Sequence, residues 1–175
     1  MAHMRSPDAA PPVMTACFPA SLIIPAPDKS DRPAFVVGTW PCVWHHLVDT
    51  PASRTFVAAF TKKYGKPPEN QAWGDYIATK IVAQTVNEIK SADSTKIVEH
   101  LEKGAKFDLL KTRPGYFRAS DHQLMHEMYA ITALPENQIK NQWDIFTSSP
   151  AVPGPNEELE VIASTKEENS CTFPT

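Results

Sequence analysis

No extended run of lysine or arginine occurs in the 175 residues, and the formal charge is −3 at pH 7. The basic footprint through which a protein holds a polyanion is therefore missing, which excludes nucleic acid as a partner and gives no handle for an anionic membrane. Nothing approaches the roughly 20 consecutive apolar residues that a spanning helix needs, so membrane insertion is not expected. The three cysteines, Cys17, Cys42 and Cys171, are far apart and form no CxxC pair, which removes zinc-ribbon and thiol-redox motifs. Their odd number leaves one thiol unpaired, or paired with a stretch this chain lacks. There is no GxSxG nucleophile elbow and no internal repeat. What is present is 42% hydrophobic and 21% charged residues, enough apolar material to bury one ordinary core.

Proline divides the chain. In residues 1–33, "MAHM" reads as an expression scar, and Pro7, Pro11, Pro12, Pro19, Pro25, Pro27 and Pro33 make the remainder an extended tail. Its apolar stretch "VMTACFPASLII" is broken by Pro19 and has no basic flank, so no export signal is expected in this chain. Residues 34–147 carry the regular punctuation of an α/β unit. Residues 148–175 return to proline-rich, acidic sequence, an irregular tail with one helical turn at 157–162.

Within the central unit, "FVVGTW" predicts a buried strand from Phe35 to Trp40. A helix follows, with Thr50 as amino cap, Pro51 in the first turn and Gly65 at the exit. Phe56, Phe60 and Tyr64 recur every fourth residue on it, which predicts a buried aromatic stripe. A second helix spans about Asn70 to Lys90, with Trp73, Tyr76, Ile77, Ile81 and Val82 in register. A third, capped near Asp93 or Ser94 and stopped at Gly104, buries Ile97, Val98 and Leu101. "KFDLLKTRPGYFRAS" predicts a hairpin whose turn uses Pro114 and a positive dihedral at Gly115. "LMHEMYAIT" alternates, placing Met125, Glu127, Tyr129 and Ile131 on one side, and "WDIF", Trp143 to Phe146, supplies a last strand.

The "F..AF..KYGK.P...A..Y" arrangement from Phe56 to Tyr76, with the "R..DHQ" group at Arg118 and Asp121 to Gln123, resembles the C-terminal part of branched-chain amino acid type periplasmic solute-binding proteins, the receptors of ABC importers. The resemblance runs from about Phe35 to Thr175. It implies an α/β fold: a partial lobe of a type I periplasmic-binding-protein fold, with three helices packed on a small mixed sheet and extended proline-rich tails. It further implies a periplasmic, non-enzymatic parent that closes two lobes on a small amino-acid-like solute and delivers it to an ABC permease. The core of the first lobe and most of the second would lie outside this chain. A partial lobe exposes strand edges and sheet face, which favours a homo-oligomer or another interaction module. Cys171 would bond to a part of the receptor not present.

The densest polar stretch, "SDHQLMHEMY", invites a metal reading through His122 and His126 with Asp121 and Glu127. On a strand those imidazoles stand about 13 Å apart at ~3.3 Å per residue, too far for one ion. An Asp121–His122 dyad activating Ser120 is disfavoured because sequence neighbours rarely face each other, Cys42 with His45 or His46 as thiol and base has no orienting third group, and the adjacent histidines read as exposed loop residues. No catalytic residue, metal or cofactor is therefore assigned. Arg118, Asp121, His122 and Gln123 read as a structural motif tying the hairpin to the next strand. The resemblance points instead to the start of the long helix, where Gln71, Trp73 and Tyr76 are the candidate ligand-binding residues. An aromatic there can cover an apolar side chain and a helix amino end favours a carboxylate, although both rings also suit core packing.

Overall fold

The computed structural model describes residues 38–165 and 167–169. The expected tail at 1–33, the strand residues Phe35 to Val37, and Cys17 and Cys171 lie outside the described residues. Three helices, α1 (Pro51–Tyr64), α2 (Asn70–Ile89) and α3 (Ser94–Glu102), precede most of the strands. The strands are β1 (Thr39–Cys42), β2 (Lys106–Phe107), β3 (Gly115–Phe117), β4 (Leu124–Met125), β5 (Tyr129–Ala133) and β6 (Phe146–Ser148). A short 3₁₀ turn at Leu159–Ile162 falls within the expected helical stretch.

The helix ends follow local chemistry. Thr50 Oγ1 accepts from the Ser53 amide at 3.1 Å and donates to the Leu110 carbonyl at 3.0 Å, so one hydroxyl caps α1 and pins it to a distant loop. Gly65 leaves α1 in the left-handed region at φ 72. Asp93 caps α3 through the Lys96 amide at 3.0 Å. Thr50→Ala should cost about 1–2 kcal/mol by urea denaturation, while Thr50→Ser, which retains both bonds, should stay close to the parent.

Where the sequence pattern leads to one small mixed sheet, the strands divide into two antiparallel three-stranded sheets, β1-β5-β6 and β2-β3-β4. The alternating stretch is split between them: β4 belongs to one sheet and β5 to the other, yet Met125, Glu127, Tyr129 and Ile131 all remain buried across the break. Pro41 sits in β1, an edge strand, where its missing donor is tolerated. β6 begins at Phe146, where the expected strand ends. Gly115 adopts no positive φ; it lies within β3 opposite Phe107, and the turn displaces its left-handed residue to Leu110, φ 62.

Two apolar clusters form the interior. The larger joins Trp44, Val48, Trp73, Ile77, Ile81, Phe107, Leu109, Leu110 and Tyr129; the smaller joins Cys42, Ile131, Ile145 and Phe146. The expected buried stripe of α1 is a correction: Phe56 and Phe60 are only half-buried and Tyr64 is 55% exposed. The rings pack on one another instead, Phe60 against Tyr64 at 4.4 Å and Phe56 against Tyr76 of α2 at 4.7 Å. On α2 the buried line is Trp73, Ile77, Ile81 and Thr85, so Tyr76 and Val82 turn outward. On α3 no residue is fully buried, and Val98 is exposed. These departures share a cause: a helix laid on so small a sheet buries a stripe narrower than its full apolar face.

Candidate functional site

The amino half of α2 rests on a buried cluster that mixes aromatic rings with charge. Trp73 is 5% exposed, stacks on Trp44 with centroids 6.2 Å apart and planes 5° from parallel, and donates from Nε1 to the Leu109 carbonyl at 2.9 Å. Beneath it lies Lys111, only 6% exposed, whose Nζ is 4.8 Å from the Trp73 ring centre and 5.5 Å from that of Tyr129. The Lys111 ammonium donates to the Val43 carbonyl at 2.6 Å, to His126 Nδ1 at 2.8 Å and to the Glu127 carbonyl. One cation thus ties together the segment after β1, helix α2, the 108–114 loop and the β4–β5 link.

Glu127, 1% exposed, balances the charge. Its carboxylate accepts from the Thr112 amide at 3.1 Å, from the Thr112 hydroxyl, and from the Tyr129 hydroxyl at 3.5 Å. Arg113 Nε stands 3.3 Å from it, close enough for an ion pair though not aligned to donate. Arg113 also donates to the carbonyls of Glu157, at 2.5 Å, and Pro153, at 3.2 Å. Burial pulls the Lys111 amine down to about 7 against the pull of Glu127, and pushes the Tyr129 phenol up.

Above this cluster, a recess at the amino end of α2 is walled by Trp44, His45, His46, Glu69, Asn70 and Trp143. The space within it, about 20 Å³, is room for one water. Both histidines depart from the exposed loop expected of them: His45 is 8% exposed and its ring lies 4.2 Å from that of His46. Cys42, also at this wall, is disulfide-bonded, which removes the thiol that a thiol–imidazole pairing would need.

The expected ligand residues do not converge. Gln71 is exposed, Trp73 is committed to the interior, and Tyr76, 45% exposed, stacks on Phe56. The "R..DHQ" group does form a local unit. Arg118 Nε donates to Asp121 Oδ1 at 3.0 Å, with a second contact from Nη2 to Oδ2, and the Arg118 amide donates to the Gln123 carbonyl at 2.9 Å. Held by the Arg118 guanidinium, the Asp121 carboxyl is depressed to about 2. The unit also clasps the later chain: Arg118 donates to the Ser164 carbonyl at 3.0 Å and Asn169 to Asp121 at 2.7 Å. His122 and His126 face different partners, His122 at 2.7 Å from Glu102 and His126 toward Lys111.

The buried imidazoles set a pH dependence. Burial lowers His45 to about 3, assisted by His46, lowers His46 also, and with Lys111 nearby lowers His126 to about 4, all from an ordinary 6.5. Below 6.5 the unfolded imidazoles take up protons that the folded ones refuse until about 3 to 4. The unfolded state then binds more protons, so stability rises with pH through that window and is lost on acidification. Denaturation midpoints measured from pH 7 to pH 4 should fall steadily, and His45→Phe should flatten the slope.

The comparisons with known proteins agree with one another. A family model described as periplasmic binding protein matches residues 14–137. No curated protein matches the sequence. Among solved structures, a periplasmic binding protein from Burkholderia mallei is 27% identical, with TM-score 0.64 over 76% of this chain and 33% of that one. An amino acid ABC transporter substrate-binding protein from Pseudomonas fluorescens Pf-5 is 26% identical, with TM-score 0.58 over 65% of this chain and 30% of that one. A branched chain amino acid ABC transporter periplasmic ligand-binding protein from Burkholderia xenovorans LB400 is 29% identical, with TM-score 0.58 over 65% and 29%. The matched part of this chain thus spans about a third of the length of these proteins.

Proposed function

This chain belongs to the periplasmic binding protein family, and from that premise we propose that it is part of an ABC-importer solute-binding protein of the periplasm. The whole receptor binds a small amino-acid-like solute by closing two lobes and passes it to a permease; it catalyses no reaction. The observation that supports this most is the shared fold with an amino acid receptor and a branched-chain amino acid receptor at 26% and 29% identity.

Within the chain, the amino half of α2 is the proposed solute face. Gln71 and Tyr76 are both exposed along that half of the helix, while Trp73 fixes it from below on Trp44 and Lys111. In a thermal-shift panel of amino acids and short amides, at least one amino acid should raise the melting temperature, and Gln71→Ala with Tyr76→Ala should abolish the rise. A second reading, self-association without solute binding, is favoured by the outward aromatics Tyr64 and Tyr76 with Val82. It predicts no shift from any solute, together with a dimeric mass by light scattering.

A further inference from the structure

We propose that the cavity between α3 and β3 is a second binding site, for a small uncharged ring compound carrying one N–H or O–H donor, of which indole is the type. The cavity holds about 230 Å³ and shares no residue with the recess at α2. It opens to solvent beside the exposed Val98, and its volume exceeds the roughly 150 Å³ in which an enclosed apolar cavity holds benzene. Val98 and Leu101 of α3 form one wall and Phe117 of β3 the other. The Phe117 ring is braced edge-on by the fully buried Phe107, centroids 6.4 Å apart at 74°. A braced aromatic wall favours a flat ring over a flexible chain, since ring pairs add specific edge or face contacts to plain area burial.

The remaining lining residues set the polarity of the ligand. Glu102 ends α3 and His122 stands on the β3–β4 turn, their side chains 2.7 Å apart across the lining. His122 takes φ 55, the left-handed residue of the turn, with its amide donating to the Arg118 carbonyl at 2.8 Å, which fixes where its ring stands. Beyond its contact with His122 the Glu102 carboxylate keeps lone pairs that accept a donor hydrogen, and its charge weighs against an anion, so indole or phenol is favoured over benzoate.

The test is titration of the full chain with indole, phenol and benzoate, followed by two-dimensional NMR. Indole and phenol should give saturable shifts confined to Val98, Leu101 and Phe117, and benzoate should give none. Val98→Trp, which fills the mouth from a 40% exposed position and so spares the core, should weaken indole by about tenfold or more. Glu102→Gln, which keeps the shape, should weaken indole and admit benzoate. Absence of saturable shifts in the folded chain, shifts centred elsewhere, or undiminished indole binding by a folded Val98→Trp chain would overturn the proposal. None of these outcomes depends on amino-acid binding at α2.

Discussion

Replacing Gly115 by alanine should destabilise the protein by about 3 kcal/mol or more, out of proportion to one methyl group. A Cβ built there meets Leu109 Cδ1 at 2.5 Å and the Met125 carbonyl oxygen at 2.6 Å. The first is the end of a side chain, although one buried in the main core; the second is backbone of the neighbouring strand and can move only by opening the β3–β4 pairing. The same change at Gly74, inside α2 with nothing within 4 Å of the new atom, should instead stabilise by about 0.5–1 kcal/mol, the ordinary helical gain over glycine. Urea denaturation of the two variants should therefore move the midpoint in opposite directions. Equal, small effects would mean that β3 does not lie against β4 in this register.

The second large effect belongs to Glu127. Glu127→Ala removes the acceptor for the Thr112 amide and hydroxyl and strips the counter-charge from buried Lys111 and half-buried Arg113. Removing one side of a buried ion cluster costs about 3–5 kcal/mol; here the loss falls on the orphaned Thr112 amide and hydroxyl, on Arg113, and on Lys111, which is driven further toward its neutral form. Lys111→Met should cost markedly less. It deprives the Val43 carbonyl of its donor, but it also removes a buried ammonium already drawn down to about 7, and His126 Nδ1, 2.7 Å from the Glu127 carbonyl, can then carry the proton and donate there. Calorimetry of both variants at neutral pH checks the ordering. An equal loss from each would show that the pair acts as a simple salt bridge rather than as a costly cation tolerated for its contacts.

The features legible in the sequence are those decided within a few residues. Thr50, Gly65 and Asp93 mark helix ends because a cap is satisfied by the turn it begins or closes. The alternation from Met125 to Ile131 survives a break between two sheets because it reflects burial on one side, whatever the strands pair with. It also carried a signal for the cluster under α2: a carboxylate, Glu127, on the same side as Met125, Tyr129 and Ile131. Its partner Lys111 carried none, since its burial depends on Val43, Trp73 and His126 arriving from three other parts of the chain. Division into two sheets was likewise hidden, because strands of two to five residues are paired by distant contacts rather than by their own pattern. Gly115 read as a turn glycine because it follows proline, whereas close approach of Leu109 and Met125 is what requires it.

Isothermal titration of the folded chain with leucine, and then with the other amino acids, tests the receptor reading most directly. The reading predicts one saturable site for at least one amino acid, a negative heat-capacity change from apolar burial, and loss of the signal in the Gln71→Ala, Tyr76→Ala chain. A folded protein that gives no saturable heat with any amino acid would contradict the assignment of the solute face to α2.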